Sequence, residues 1–502
     1  MRNVGALLLV ISSWLYSWST FSQSAVPESV YKNLPFKMGN VSLPIFSDNE
    51  LNIRDFGAIP DGLTLNSDAF EKALATLLAK GGGKLIIPAG IWLTGPITFQ
   101  SNVNLHLEQG AVIVFSTDFK LYPLVETSYE GRNEYRCFSP INGKNLHDIA
   151  ITGKGIIDGS GEAWRPVKRD KMTEEHWKKL VKSGGILNEK QDTWWPSKSA
   201  LEGDIIVEEK GIIPKTMEES IAIKDFLRPV MVSFINCKNV WLDGITFQNS
   251  PAWTIHSLMC ENLMVSNISA RSPWYGANND GIDIESSKNV VLYNCSFDVG
   301  DDGICVKSGR DEDGRKRAIP TENLIVSNCI VYHGHGGFVV GSEMSAGVKN
   351  IKVSNCTFWG TDVGIRFKST RGRGGIVENI WISNINMKDI VTDALQLDLF
   401  YFNDDTKQDE ICPVNETTPR FRNIFIENIV CIGANRAIFL NGLPEMNVQN
   451  LTLDNLLIKS EYGAEISNAD GVKMTNVKII SKQGDPFKIN KSINVTLNKK
   501  KL

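Results

Sequence analysis

One short phrase recurs along the second half of the chain and limits its fold more than any other feature. It reads Asn or Gly, apolar, any, apolar, any, Asn or Gly, apolar, with copies beginning at Asn239, Asn262, Asn289, Asn323, Asn350, Asn379, Asn423, Asn450 and Gly471. Five residues into each copy stands Gly244, Asn267, Asn294, Asn328, Asn355, Asn384, Asn428, Asn455 or Asn476. The next residue is Ile245, Ile268, Cys295, Cys329, Cys356, Ile385, Ile429, Leu456 or Val477. Asn and Gly enter the left-handed backbone region most readily, so each phrase predicts strand, tight bend, strand, with the residue after the bend pointing inward. The copies are too far apart for an array of β-hairpins and lack the amphipathic period of helical repeats. A single-domain, all-β, right-handed parallel β-helix fits: coils about 4.8 Å apart, an Asn ladder at one bend and an aliphatic ladder inside. A β-sandwich would instead show hairpin turns and clean alternation.

The remaining segments are read around that solenoid. Arg2, the apolar run Val4 to Trp18 and Thr20-Phe21-Ser22 before Gln23 have the form of a signal peptide over residues 1–22, which predicts a periplasmic or secreted protein. The run is too short and too Ser-rich for a membrane anchor. Residues 23–50 read as an extended lead-in, and 51–491 as the β-helix. The Ala/Leu-rich run Ala69 to Lys80 predicts a helix capped by Asn66 or Ser67 and ended by Gly81-Gly82-Gly83, covering the open N-terminal end. Between Gly161 and Pro229 the repeat disappears. This insert, 161–229, carries Trp164, Trp177, Trp194 and Trp195 and a helix near Thr173 to Ser183, and is expected to wall one side of a cleft. Its tryptophans either stack on sugar rings or pack the insert against the barrel. A second excursion runs from Asn403 to Pro419, and residues 492–502 form a basic tail.

With 42 glycines, 22% charged residues and no low-complexity tract, the chain reads as one compact body. Its net charge of −4 gives no reason to expect nucleic acid or anionic membrane as a partner. A capped end argues for a monomer. The nine cysteines have no zinc-type spacing, and Cys295, Cys329 and Cys356 share the inward position, so free buried thiols are expected rather than disulfides.

Chemistry concentrates between Asn278 and Lys368. There the coils carry Asn278-Asn279-Asp280-Gly281, Gly300-Asp301-Asp302-Gly303, Gly334-His335-Gly336-Gly337 and Arg366-Phe367-Lys368 in succession. Acids come first, a histidine follows, and cations close the set. Three carboxyls on adjacent coils suit glycosidic hydrolysis with inversion, which needs one acid for the leaving oxygen and carboxylate opposite to activate water. Asp301 and Asp302 can share a cleft only where the backbone kinks, which Gly300 and Gly303 permit. Their closeness is expected to raise one pKa and keep a proton available. Arg366 and Lys368, two apart on a strand, project from one face and suit a uronate carboxylate. Lys307, Arg310, Arg315, Lys316 and Arg317 follow the acids and favour an acidic polymer. Asp311-Glu312-Asp313-Gly314 lacks the later ligands of a calcium loop and reads as a turn. No metal or other cofactor is expected.

These four motifs, in this order on this repeat, resemble glycoside hydrolase family 28, the polygalacturonases, from about Leu51 to about Gln483. Asn-Asn-Asp, Lys307-Ser308-Gly309-Arg310-Asp311, His335-Gly336-Gly337 and Arg366-Phe367-Lys368 are most similar to bacterial exo-acting members. Asn279 stands where Thr is usual, and Phe367 where Ile or Leu is. The resemblance implies Asp301 as general acid, Asp280 and Asp302 holding the water, and His335 supporting the acid. It implies Asn278, Arg366, Lys368 and Tyr401 around the sugar, with Lys307 and Arg310 as further substrate cations. The expected reaction is hydrolysis of α-1,4-galacturonide bonds, exo-acting from the non-reducing end because the insert blocks the cleft. Rhamnogalacturonan or xylogalacturonan are alternative substrates. A pectate lyase and a non-catalytic polysaccharide-binding β-helix remain as other classes.

Overall fold

The computed structural model describes residues 26–401 and 409–501; the signal-peptide segment and most of the first half of the excursion from Asn403 lie outside the described residues. The β-helix expected from the repeat is what the chain forms, right-handed and built from parallel strands. Each phrase is a strand pair meeting at a corner, as in Lys288–Tyr293 followed by Ser296–Asp298. The residue after every corner, from Ile245 to Val477, is buried in one continuous apolar core. All nine cysteines are free.

The phrase holds two left-handed corners rather than one. Asn239, Asn262, Asn289, Asn323, Asn350, Asn379, Asn423 and Asn450, which open the copies, have positive φ just as the later Asn residues do. Along the opening row most side-chain amides donate to the Asn one coil back, as from Asn289 to Asn262 at 3.3 Å and from Asn323 to Asn289 at 3.1 Å, while Asn239 at its start donates to Asp148. Asn therefore does two jobs that Gly cannot combine, since it tolerates the corner and also ties successive coils together.

A third strand in each coil builds the face that matters for function. Ile255–Leu258, Ile282–Glu285, Asp302–Lys307, Gly336–Val340, Val363–Lys368 and Asp393–Asp398 pair in sequence. Ile255, Ile282, Ile304, Phe338, Ile365 and Leu395 lie in register and point into the core. Alternation then places the row His256, Asp283, Cys305, Val339, Arg366 and Gln396 on the opposite side.

The helix Ser67–Ala79 is present, but the predicted cap is not. The Asn66 amide is committed elsewhere, accepting from Ile59 N at 2.7 Å and donating to the carbonyls of Ile59, Thr64 and Leu93. Ser67 Oγ accepts from Gly95 N. Both side chains stitch the helix to the first coil instead of closing its own end. The lead-in is a strap rather than a free extension: Val26, Val30 and Val41 bury against Met264, Val291 and Ile325 on the outside of the barrel. Part of the basic tail closes the last coil, with Thr496 and Leu497 paired to Lys473 and Met474.

The Asn corners yield a stability test. Asn289→Ala should lose about 2–3 kcal/mol, from a left-handed backbone now carrying a plain Cβ and two lost ladder hydrogen bonds. Asn289→Gly should lose roughly half of that, because only the hydrogen bonds disappear. Denaturant midpoints of the two variants measure the difference, and equal midpoints would show that the corner conformation costs nothing.

Candidate active site

All four motifs meet on one face of the stack. Asp302 opens the strand Asp302–Lys307 and is almost fully buried, and Asp280 lies buried one coil earlier. Carboxylate oxygens of these two acids approach within 4.8 Å of one another. Asp301 sits at the corner just before the strand, and its side chain keeps 20% of its surface exposed against 4% for Asp280 and 1% for Asp302. The expected kink is thus a chain corner. Gly300 and Gly303 are there for space rather than for unusual φ: a Cβ would come within 2.4 Å of Gly276 O at the first and of Val331 at the second. Asp301 Oδ1 accepts from its neighbour's amide, Asp302 N, at 2.9 Å and lies 3.1 Å from His335 Nδ1. His335 N donates to Asp301 O, which fixes the imidazole beside the acid.

The proton sits elsewhere than expected from the closeness of Asp301 and Asp302. Burial alone would raise Asp301, but the His335 hydrogen bond and charge, with Lys368 and Lys307 behind, bring it down to about 2. His335 is correspondingly raised, first by that hydrogen bond. The carboxyl pushed well up is Asp280, by burial and by the charges of Asp283 and Asp301. An acid that sequence reading did not single out, Asp283, stands behind it and is raised to about 6 by burial. Its signal was available, since Ile282 and Ile284 point inward and leave Asp283 on the same side as Asp280's neighbours.

Arg366 and Lys368 do share a face, and both reach Asp302. Lys368 Nζ donates to Asp302 Oδ2 at 2.8 Å, while the Arg366 guanidinium lies 3.7 Å from Oδ1 and donates to Gln396 Oε1. The ring of Tyr401 lies 5.3 Å from Arg366 and 5.1 Å from Lys368. Phe367 between them fills the core. Asn278 borders the acids with its Oδ1 held by Arg228 at 2.8 Å.

The cations after the acids are not an open basic patch. Lys307 is buried, 3.2 Å from Asp283, 3.4 Å from Glu343 and 3.8 Å from Asp280, which makes it the counter-ion of the acids rather than a cation turned to ligand. Arg310 pairs with Glu130 and Asp311, Arg317 with Glu285, and Arg315 holds backbone carbonyls. The supposed turn is the first part of a short helix, Asp311–Arg317, with acids in its first turn and cations in its last, an order that suits the helix dipole.

One end of the groove is filled. An antiparallel hairpin, Leu124–Tyr129 with Arg132–Cys137, leaves the solenoid where sequence reading placed no element. Tyr129 lies flat on Trp253, ring centroids 4.4 Å apart, and Lys307 Nζ is 4.0 Å from the Trp253 ring centroid. The hairpin tip is fastened beyond the acids, with Arg310 N donating to Gly131 O at 3.0 Å. The insert stands beside it and contains the expected helix, Glu174–Lys182, capped by Thr173. Most of its tryptophans pack rather than face outward: Trp164 stacks on Phe119, and Trp177 and Trp194 share a small core with Val167. Trp195 is the exception. It lines a cavity of about 780 Å3 together with Trp274, Arg228, Asn278, His335 and Asp362. Trp274, half exposed and four residues before Asn278, is the aromatic that sequence reading passed over.

The chain is similar to known proteins in sequence and fold. The family model described as glycosyl hydrolases family 28 matches residues 218–481. An exo-poly-alpha-D-galacturonosidase of Dickeya chrysanthemi is 27% identical over 468 residues, 90% of this chain and 74% of that protein. A probable polygalacturonase of Vitis vinifera is 28% identical over 414 residues, 80% of this chain and 73% of the relative. Among solved structures, a hyperthermoactive exopolygalacturonase from Thermotoga maritima is 32% identical with a TM-score of 0.70, covering 87% of this chain and 94% of that one.

Proposed function

Because the chain belongs to glycosyl hydrolases family 28, we propose that this pectin-degrading glycoside hydrolase cleaves α-1,4-galacturonide bonds with inversion, one unit at a time from the non-reducing end. The observation that carries the exo reading is Tyr129 stacked on Trp253. Trp253 lies two residues before the strand Ile255–Leu258, one coil, or about 4.8 Å, before the strand that follows Asp280. On this reading the polymer extends from the acids toward Arg366, Lys368 and Tyr401. The names of the Dickeya and Thermotoga relatives support the same mode.

Roles follow from exposure and charge. Asp301 is the acid with surface in the cleft, so it faces the leaving oxygen. Its proton is stored on the Asp301–His335 pair: in the free enzyme the imidazole carries it, and the 3.1 Å contact returns it to the carboxyl as the glycosidic bond breaks. Asp280 and Asp302, with oxygens within 4.8 Å, hold the attacking water. Asp280 keeps a proton to donate toward that water, and Asp302 takes the proton the water loses. Arg366 and Lys368, beside Tyr401, bind the uronate carboxylate of the leaving unit while remaining partners of Asp302. Lys307 and Arg310 act through other residues, the first by charge compensation and the second by holding the hairpin tip. The N-terminal segment supports export to the periplasm or medium; among the described residues no helix is long and apolar enough to cross a membrane. The helix covering the first coil supports a monomer.

Two measurements test this reading. Digestion of defined galacturonate oligomers should release galacturonic acid with inverted configuration from the first moment, and Asp301→Asn should lose on the order of 10³-fold or more in turnover while keeping its fold. Mixed oligomers would refute the exo mode, and unsaturated products would refute hydrolysis. The stored proton predicts the pH profile. It is present below the raised pKa of His335 and lost above it, so the alkaline limb of turnover should lie above 6.5, the ordinary value of imidazole. In His335→Asn that limb should move down toward the carboxylate range, since Asp301 then keeps its own proton only at acid pH, with turnover at neutral pH down roughly 10²-fold. An unmoved limb would remove His335 from the proton's path.

A further inference from the structure

Two arginines bracket the insert, Arg165 near its start and Arg228 at its end, and both grip the residues just before Asp280. Arg165 is buried. It donates to Ser250 O at 2.5 Å, to Asn279 Oδ1 at 3.0 Å and to Asn249 Oδ1 at 2.7 Å. Arg228, also buried, donates to Pro251 O at 2.7 Å, Ala277 O at 2.9 Å and Asn278 Oδ1 at 2.8 Å. Neither guanidinium has a carboxylate within salt-bridge distance among the described residues. Burying an unpaired cation is costly, and a hydrophobic side chain would fill either space more cheaply if walling the cleft were the only task. What both cations have instead is three oxygen acceptors each, shared between two neighbouring segments, Asn249 to Pro251 and Ala277 to Asn279.

Asn279 is the receiving half of this device. It is fully buried, and its amide donates to Ser250 O at 3.0 Å and Ala252 O at 2.8 Å while its oxygen accepts from Arg165. The fit leaves no slack, because a Cβ on Gly276 would lie 2.1 Å from Asn279 Oδ1. Thr, the usual residue at this position in the family the sequence resembles, has one hydroxyl hydrogen and cannot serve two carbonyls while accepting from a guanidinium. The next residue is Asp280, whose Oδ1 has no hydrogen-bond partner and whose carbonyl accepts from Thr254 N. Apart from Lys307 Nζ, 3.8 Å from its other oxygen, its carboxyl is placed by the loop backbone, so what fixes Asn279 helps to fix Asp280.

We propose that Arg165 is a positioning residue for hydrolysis: through its matched partner Asn279 it holds the Asp280 loop, so that the insert sets catalytic geometry as well as closing the cleft. The assignment rests on the reading of Asp280 as a water-holding acid. Arg228 grips Asn278 in the same way and makes the insert clamp the loop at two consecutive residues.

The test compares Arg165→Met, Arg165→Lys and Asn279→Thr with the unaltered enzyme, measuring kcat, KM, product pattern and thermal midpoint on galacturonate oligomers, with Asp280→Asn alongside. A shift of about 1 Å in a catalytic group can cost about 10²-fold, so Arg165→Met should lose 10- to 100-fold in kcat with KM changed less than threefold and exo products retained. Arg165→Lys should recover part of the loss. The Arg165→Met/Asn279→Thr double variant should be no worse than the poorer single one, since both remove one contact. Unchanged kcat in Arg165→Met, or a rise in KM with longer products released, would overturn the proposal and leave the insert a wall. If Arg165→Met does not fold, Asn279→Thr, which keeps every insert contact except this one, decides by the same kcat criterion. An inactive Asp280→Asn beside a fully active Arg165→Met would sink the clamp alone, whereas an active Asp280→Asn would sink the underlying role of Asp280 and the clamp with it.

Discussion

The left-handed corner occupied by Asn is the constraint on which the rest of this molecule depends. A parallel stack works as a scaffold only if each coil repeats the path of the last, and the two Asn rows impose that by fixing the turn angle and tying each corner to the one before it. Once corners superpose, strand registers superpose as well. Residues far apart in the chain, such as Asp283, Cys305 and Arg366, then stand in one row at the spacing of a β-sheet. A site assembled this way inherits the rigidity of the ladder, which suits chemistry that must hold acid, water and sugar in one arrangement.

That rigidity allows an unusual density of buried charge. Asp280, Asp283, Asp302 and Glu343 lie together beneath the cleft, and Lys307, Lys368, Arg366 and Arg373 are placed among them. Acids in such a cluster cannot all ionise alike. Glu343 is brought down to about 2 once burial is outweighed by Lys307 and Arg373, while burial lifts Asp283 to about 6 despite Lys307 and pushes Asp280 well up. Asp301 escapes the cluster by sitting at the corner, where His335 and not a buried lysine is its neighbour. Separating the acids into a cleft-facing one and a buried pair gives them different duties without changing the residue type.

The walls are built by different means. Hairpin and insert leave the solenoid and return, held by aromatic stacking at Tyr129 and Trp253 and by the arginines 136, 165 and 228, which bind backbone carbonyls and Asn side chains. Such contacts do not repeat from coil to coil, so they can vary while the ladder stays fixed. Under the proposed function, substrate length selection belongs to these excursions and bond cleavage to the strands.

The sequence by itself determined the solenoid, the inward row and the four motifs that converge, because each rests on a local rule repeated many times: corner chemistry, period-2 alternation and residue type. It also determined that Arg366 and Lys368 share a face. Only the tertiary structure decided that Lys307 is a counter-ion, that Asp280 and not Asp301 has its pKa raised, that Asn66 does not cap its helix, and that Tyr129 stacks on Trp253. These outcomes depend on which groups come into contact across roughly 20 to more than 100 residues of chain. No local pattern encodes such contacts, since a buried lysine and a ligand-facing one are the same letter until the acids around them are in place.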